Sequence, residues 1–195
     1  SGGSSGGSIG GSPRVRGGGA RGLAAGDDPV HQPVLQSAPG VQHQVPFEVG
    51  VFEGETLSRV PPPGIAIGID PKPNIKCPFL AETHIYTETS DDFLARQGPA
   101  SLLGNKPLGA AFIDGLHLYE QALRDFINLE AYCGPKSLIL VHDTVPLDEQ
   151  TQRRTAETSF NSGDVWKLVL CLKEYRPDLD IFTIALMGIA AGYWS

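Results

Sequence analysis

Short apolar runs that lack polar alternation are the feature that most constrains this fold. From Val45 onward they recur at intervals, and "IAIGI" at 65–69 offers no polar face at all. A strand that is apolar on both faces must be covered on both sides, which is typical of a parallel sheet flanked by helices. The predicted strands span 45–49, 65–69, 84–87, 109–113, 137–141 and 180–186.

Amphipathic helices separate the later apolar runs. Apolar residues recur at helical spacing across 116–132 and again across 164–175, where Ser162 is the predicted N-cap and Pro177 the stop. Strand and helix in this rhythm predict an α/β fold: a doubly wound, mostly parallel, Rossmann-like sheet with helices on both faces. In such sheets ligands bind beyond the carboxyl ends of the strands.

The first 40 residues have a different texture. Residues 1–40 consist largely of Gly, Ser, Pro and Gln, and such a segment buries too little apolar surface to offset its ordering entropy. We therefore predict a disordered tail over 1–40 and a single domain over 41–195. The tract "RVRGGGARG" resembles an RNA-binding Arg-Gly segment, but a flexible tail is the favoured interpretation.

Charge and composition narrow the function classes. The chain of 195 residues has a net charge of −7, which disfavours a nucleic-acid partner. No stretch approaches the roughly 20 apolar residues of a membrane span, and no secretory signal is visible. The cysteines are widely spaced, so neither a zinc site nor a disulfide framework is expected, and a cytoplasmic location is predicted. Because the chain starts without Met, we also expect that it is a fragment.

The first predicted strand ends in "FEVGVFEGETL". Gly50 and Gly54 flank a turn into a short helix, where glycines let the backbone approach a ligand and free N–H groups attract an anion. Thr56 adds a hydroxyl group. The spacing is G-x-x-x-G rather than the G-x-G-x-x-G of dinucleotide sites, and a plain structural turn fits equally well.

Carboxylates follow the second and third strands. Asp70 stands at the tip of the second strand, where it can accept hydrogen bonds from both hydroxyls of a ribose, and we favour this role over a turn-forming Asp-Pro. In "ETSDDFL", Ser90 and Asp91 either contact an adenine ring or belong to a helix start capped by Ser90 or Thr89. Both interpretations stay open.

The fourth and fifth strands end in similar groups. "FIDGLH" carries Asp114 and His117, and "LVHDT" carries His142 and Asp143. Carboxylates and imidazoles gathered at one cleft suit metal binding or proton transfer. We therefore predict that these four side chains share one site.

Together the five segments resemble a class I S-adenosylmethionine-dependent methyltransferase. The resemblance covers residues 45–186 and is closest to the small-molecule O-methyltransferase-like branch, whose hallmark is D-G-x-H followed by H-D after the next strand. It implies a cofactor pocket built from the turns after the strands. The implied cofactor-binding residues are Glu48, Gly50, Gly54, Thr56, Asp70, Ser90, Asp91 and Asp114.

The resemblance also implies a catalytic centre with His117, His142 and Asp143. Asp114 and Asp143 match the places that hold a divalent cation, Mg²⁺ or Mn²⁺, in catechol-type relatives. His117 occupies the place of a lysine base there, and an imidazole can substitute because its pKa lies near working pH. His142 departs from the pattern, since Mg²⁺ prefers oxygen ligands.

The implied reaction is methyl transfer from S-adenosyl-L-methionine to a hydroxyl of a small molecule, such as a sugar or natural product. The expected partner is thus a small hydroxylated acceptor, with no nucleic acid and no membrane, and a homodimer is left open. One alternative is a non-catalytic cofactor-binding or regulatory remnant of the same fold. An NAD-dependent oxidoreductase and an RNA methyltransferase are less favoured.

Overall fold

The computed structural model describes residues 46–96, 98–104, 106–155, 160–184 and 189–194. The predicted tail over 1–40 lies outside these residues. The strands are β1 Pro46–Val49, β2 Ile65–Ile69, β3 Glu82–Tyr86, β4 Leu108–Ile113, β5 Cys133–Val141, β6 Leu179–Ile184 and β7 Ile189–Trp194. The helices are α1 Glu55–Ser58, α2 Ser90–Arg96, α3 Ala100–Leu103, α4 Tyr119–Glu130 and α5 Trp166–Tyr175.

The strands form one sheet in the order β3-β2-β1-β4-β5-β7-β6. Strands β1 to β5 pair in parallel, whereas β7 is antiparallel to both β5 and β6. The order reverses between β1 and β4, and this is the switch point at which doubly wound sheets bind ligands. The structure thus confirms the predicted α/β, Rossmann-like fold.

The central strands are buried because helices cover them. Phe47 of β1, Ile67 of β2 and Ile139 of β5 are almost wholly inaccessible to solvent. In α4, Phe126 and Leu129 join the same core, and in α5 Leu168 does so. The apolar runs without alternation therefore have the physical cause that the sequence suggested, which is burial on both faces.

Several boundaries differ from the predicted ones. Of the predicted final strand over 180–186, residues 180–184 lie in β6, and residues 185 and 186 lie outside the described part of the chain; the antiparallel β7 begins at Ile189. Helix α4 begins at Tyr119, because the residues from Asp114 to Leu118 form the turn after β4. No apolar period marks the start of α4, so the sequence pattern extended this helix too far.

Ser162 is not the N-cap of α5, so that prediction was wrong. The helix begins at Trp166 with Val165 in the cap position and no side-chain cap. Ser162 is buried, and its Oγ donates a hydrogen bond to the carbonyl of Thr151, 3.0 Å away. The hydroxyl thus closes the loop after β5 rather than starting the helix.

Backbone contacts bring the turns after β1 and β4 together. The N–H of Asp114 donates to the Val49 carbonyl at 2.8 Å, and the N–H of His142 donates to the Ile113 carbonyl at 3.0 Å. A Cβ at Gly50 would stand 1.9 Å from the Asp114 carbonyl oxygen, so only glycine permits this approach. The carboxyl ends of β1, β4 and β5 therefore share one cleft.

No helix in the described part of the chain is both long enough and apolar enough to cross a membrane.

Candidate active site

Asp70 holds the turn that follows β1. Its Oδ2 accepts a hydrogen bond from the Phe52 N–H at 2.8 Å, and its Oδ1 accepts one from the Lys72 N–H at 2.7 Å. These bonds support the turn between Gly50 and Gly54, whose φ angles are 86° and 84°. Each carboxylate oxygen keeps a lone pair for a further donor, such as a ribose hydroxyl.

Glu48 lies in β1, and only 3% of its surface is exposed. Burial raises the pKa of its carboxyl to about 8, while a hydrogen bond to Thr56 acts in the opposite direction and the nearby carboxylates of Asp114 and Asp70 add to the rise. Its Oε2 has no hydrogen-bond partner in the described structure. A buried carboxyl with an unused oxygen suits a cationic ligand group, which would restore the ionised form.

The residues predicted to contact an adenine ring, Ser90 and Asp91, make side-chain contacts with α4. The Ser90 hydroxyl donates to Oδ1 of the buried Asp125 at 2.6 Å, and Asp91 pairs with Arg124 at 2.7 Å. The helix cap is provided instead by Thr89, whose Oγ1 accepts from the Asp92 N–H at 3.1 Å. Ser90 and Asp91 thus open helix α2 beside the cleft, with their side chains engaged by α4.

The four residues after β4 and β5 do share one site. Nε2 of His117 lies 3.1 Å from Asp143 Oδ2 and 3.7 Å from Asp114 Oδ1. Nδ1 of His142 lies 3.3 Å from Asp114 Oδ1 and 3.2 Å from Asp143 Oδ1. The structure therefore brings together the side chains that the two motifs contributed. We refer to Asp114, His117, His142 and Asp143 as the Asp–His cluster.

Asp143 has the most constrained position in the cluster. Its φ of 58° lies in the left-handed region, which is sparsely populated for residues other than glycine and costs of the order of 1 kcal/mol. Only 2% of its side chain is exposed, and neither carboxylate oxygen accepts a hydrogen bond of regular geometry from the described residues. An imidazole nitrogen lies within 3.2 Å of each carboxylate oxygen, so the carboxylate faces groups that can carry positive charge.

Charge pairing shifts the pKa values of the cluster in opposite directions. Burial opposes ionisation of Asp114, yet hydrogen bonds and charge from His117 and His142 lower its pKa to about 2. Burial likewise opposes the charged form of His142, but Asp114 and Asp143 raise its pKa to about 10. The pKa of His117 is raised, mainly by its interaction with the neighbouring carboxylate of Asp114. Without another cation, the neighbouring carboxylates therefore favour the charged form of both imidazoles.

A loop after β5 orients His117, and sequence reasoning did not identify it. Nδ1 of His117 donates a hydrogen bond to the carbonyl oxygen of Asn161. Gly163 has a φ of 57°, and a Cβ there would stand 1.8 Å from the His117 carbonyl oxygen. Asp164 Oδ1 accepts the N–H of Tyr119 at 2.8 Å, so it caps α4 from another element. The turn-forming composition of "NSGD" was the available signal.

The cluster has donor atoms that fit a divalent cation. One atom each from Asp114, His117 and Asp143 lie within 4.8 Å of one another. The buried oxygens of Asp143 without hydrogen bonds support the same conclusion. The two carboxylates predicted as ligands, Asp114 and Asp143, are thus brought together, with an imidazole as a third donor.

Comparison with known proteins bears on the fold of this chain. Residues 66–144 match the family model described as a methyltransferase domain. No curated protein matches the chain in sequence. Three similar solved structures have between 10% and 18% identity to the chain, and they are therefore evidence for its fold.

The first of these structures is the O-methyltransferase TomG from Streptomyces achromogenes, with 18% identity, a TM-score of 0.54, and coverage of 80% of this chain and 74% of TomG. Rv0187 from MTB, solved with a bound cofactor, has 16% identity, a TM-score of 0.56 and coverages of 79% and 74%. The Podospora anserina methyltransferase PaMTH1 has 10% identity, a TM-score of 0.52 and coverages of 78% and 72%.

The sheet order separates this fold from the dinucleotide-binding one. A nicotinamide-binding domain has the strand order 3-2-1-4-5-6, whereas here the antiparallel β7 lies between β5 and β6. The oxidoreductase alternative is therefore set aside. The match to a methyltransferase-domain model over residues 66–144, the strand order and the similar solved structures together show that this chain has the Rossmann-like methyltransferase fold that its five motifs resemble.

Proposed function

We propose that the protein transfers the methyl group of S-adenosylmethionine to a hydroxyl oxygen of a small molecule. The observation that carries this proposal is the Asp–His cluster at the carboxyl ends of β4 and β5, against the glycine turn after β1. Similar folds occur in TomG, an O-methyltransferase of tomaymycin synthesis solved with SAM, and in PaMTH1, solved with SAH.

The cofactor would lie along the turns after β1 and β2. Gly50 and Gly54 let the backbone approach its methionine end, and the carboxyl of Glu48 would receive its ammonium group. Asp70 would accept the ribose hydroxyls with the lone pairs that the Phe52 and Lys72 amides leave free. Ser90 and Asp91 would mark the adenine end at the start of α2.

The histidines of the cluster are the candidates for taking up the hydroxyl proton. We favour His142 when a cation occupies Asp114 and Asp143, because that charge would offset the carboxylates that raise the pKa of this ring, and because Nε2 makes no hydrogen bond or ion pair with the described residues. This resembles the arrangement in which a carboxylate orients an imidazole that acts as a base through its other nitrogen. In His117, Nδ1 is bonded to the Asn161 carbonyl and Nε2 faces carboxylates, so both nitrogens are engaged.

The chemical step balances without an oxidant or reductant. The acceptor oxygen forms a bond to the methyl carbon while the sulfur–methyl bond breaks, and S-adenosylhomocysteine leaves with the electron pair on sulfur. The acceptor's proton passes to the imidazole. The enzyme contributes mainly alignment of the oxygen with the methyl group. A divalent cation held by Asp114 and Asp143 would lower the pKa of the acceptor hydroxyl.

Calorimetric titration of S-adenosylmethionine, with and without Mg²⁺ or Mn²⁺, is the first test. We expect binding at micromolar level and then methylation of members of a panel of small hydroxylated natural products. Failure of the cofactor to bind under any of these conditions would contradict the proposal. Binding without turnover on any acceptor would instead support the cofactor-binding remnant.

Replacement of His142 tests the assignment of the base. We expect His142→Ala to leave S-adenosylmethionine affinity unchanged and to slow methyl transfer by about 10²–10⁴-fold, the usual contribution of a positioned base. Single-turnover rates on an acceptor identified in the panel provide the measurement. If cofactor affinity and rate fall together, His142 has a structural role.

A further inference from the structure

We infer that His117 is a metal ligand rather than a base, and that the centre formed by Asp114, His117 and Asp143 prefers a divalent transition-metal ion over Mg²⁺. The inference deepens the proposed function and rests on it only for the use of the bound ion. Mn²⁺, Co²⁺ and Zn²⁺ belong to the class meant, because they accept an imidazole nitrogen beside carboxylate oxygens.

The donor separations carry the first step. Two atoms that bind one ion at about 2.1 Å stand roughly 3.0–3.4 Å apart in octahedral or tetrahedral geometry. Nε2 of His117 lies 3.1 Å from Asp143 Oδ2 and 3.7 Å from Asp114 Oδ1. Of the two pairs that include this nitrogen, one already has a suitable spacing and the other needs a shift of a few tenths of an ångström, while the donor atoms of Asp114 and Asp143 lie within 4.8 Å of each other.

The state of Asp143 carries the second step. A buried carboxylate ordinarily accepts several hydrogen bonds, because an unsatisfied charge in the interior is costly. Asp143 accepts none of regular geometry from the described residues, although its side chain is 98% buried and its backbone is in the left-handed region. A site built in this way points to a cation that supplies what the chain does not.

The ring of His117 carries the third step. A carbonyl oxygen can only accept, so the contact with Asn161 places the hydrogen on Nδ1 and leaves the Nε2 lone pair toward the carboxylates in the neutral ring. A metal-bound histidine typically donates its other N–H to such an oxygen, which fixes the tautomer and the ring plane. For a base this orientation is poor, because Nε2 faces Asp143 rather than open space.

His142 provides the contrast within the same cluster. Its Nδ1 also lies near both carboxylates, but no described carbonyl or carboxylate receives its other nitrogen. The set of donors close enough to share one ion comprises Asp114, His117 and Asp143, without His142. The two histidines are therefore assigned different tasks, ligation for His117 and proton transfer for His142.

The test compares metal affinities in the whole chain. Metal-free protein is titrated separately with Co²⁺, Mn²⁺ and Mg²⁺ by calorimetry, and the visible absorption of Co²⁺ reports its ligands. We expect Co²⁺ and Mn²⁺ to bind at least about 10-fold more tightly than Mg²⁺. In spin-echo EPR, bound Mn²⁺ should show the modulation of a directly coordinated nitrogen. Equal affinities, or the absence of nitrogen modulation, would overturn the inference.

Matched variants assign the nitrogen. His117→Gln should lower Co²⁺ affinity by about 10–100-fold or more, since even loss of a ligand's hydrogen-bond partner typically costs that much, and should change Mg²⁺ affinity little. His142→Gln and the remote His84→Gln should keep the preference for Co²⁺. If His142→Gln loses the preference for Co²⁺ and His117→Gln keeps it, the ligand is His142 rather than His117, and the inference is overturned.

The outcome is separable from that of the proposed function. S-adenosylmethionine affinity is measured in the presence of a chelator, where the cofactor pocket alone is tested. Cofactor binding together with equal metal affinities would contradict the metal assignment and leave the proposed function standing. Should His117→Gln fail to fold, as circular dichroism would show, the nitrogen modulation of Mn²⁺ in the unaltered protein still decides.

Discussion

At the residue scale, the hydrogen bonding of three carboxyl groups determines what the cleft can bind. Asp70 is satisfied by two backbone N–H groups, Glu48 keeps one unpartnered oxygen, and Asp143 accepts no regular hydrogen bond in the described structure. The carboxyl groups therefore accept more hydrogen bonds from the chain at the predicted ribose end of the cleft than at its catalytic end. A group with free acceptor capacity attracts a cation, whereas a satisfied one positions the backbone.

Asp70→Ala tests the predicted ribose site. We expect S-adenosylmethionine affinity to fall by at least about 100-fold, because the ribose loses its acceptor and the Phe52 and Lys72 amides lose theirs. Calorimetry provides the measurement, and Asp180→Ala on the exposed part of β6 is the control. Unchanged affinity in Asp70→Ala would refute the assignment.

Glu48→Gln tests the raised pKa of that carboxyl. In the folded chain the pKa is about 8, above the ordinary value of 4.5, so its contribution to stability is full below pH 4.5 and is lost as the pH rises through 8. The variant should therefore gain in unfolding free energy relative to the native chain between pH 5 and pH 9, by about 2–5 kcal/mol at 1.4 kcal/mol per pKa unit. Denaturant unfolding at both pH values, without cofactor, measures it. A constant difference would show that Glu48 is ionised throughout.

At the element scale, the loop after β5 organises two neighbours. Asp164 caps α4 through the Tyr119 N–H and is paired with Arg154 and Lys167 at 2.9 Å each. The Asn161 carbonyl fixes the ring of His117. A short loop thus sets both where α4 begins and where the imidazole points, although it lies about 45 residues away along the chain.

Gly163→Ala tests this loop. The positive φ and the 1.8 Å approach to the His117 carbonyl oxygen should lower the unfolding free energy by about 2–4 kcal/mol and weaken Co²⁺ binding. Gly104→Ala is the matched control, because its φ of 60° is similar and no atom lies within 4 Å of the added Cβ. The control should lose stability without loss of metal affinity. Equal metal affinity in both variants would show that Gly163 does not position His117.

At the scale of the whole molecule, the sheet brings together charged side chains that are far apart in the sequence. Asp114 and His142 belong to different strand ends, yet their ionised forms stabilise one another across the cleft. In this cluster Asp143 is buried, whereas the other three side chains are partly exposed. Stability should therefore depend on pH through this cluster.

The pH dependence follows from the signs of the two shifts. The pKa of His142 is raised to about 10 in the folded chain. Its protonated ring therefore contributes stability that is full below pH 6.5 and is lost as the pH rises through 10. The pKa of Asp114 is lowered to about 2. Its ionised carboxylate therefore contributes stability that is full above pH 3.8 and is lost as the pH falls through 2. Metal-free protein should be most stable between about pH 4 and 6.5. The double variant Asp114→Asn, His142→Gln should have a flatter profile in thermal unfolding. An unchanged profile would contradict the pairing.

The sequence by itself determined the fold class and most of the site. Runs without alternation predicted strands covered on both sides, and carboxylates and imidazoles after consecutive strands predicted a shared cleft, because parallel strands end at the same edge of a sheet. The D-G-x-H and H-D motifs supplied all four members of the Asp–His cluster. The family model and the strand order agree with this prediction.

Only the tertiary structure shows which distant residues come into contact, because local sequence patterns do not contain that information. The pairing of β7 with β5, the cap on α4 from Asp164 and the Asn161 carbonyl at His117 all depend on contacts between distant residues. Periodicity reports which face of an element is buried, but it does not report which neighbour covers it. The different surroundings of His117 and His142 are for that reason a property of the folded chain, and their tasks follow from where each ring nitrogen points.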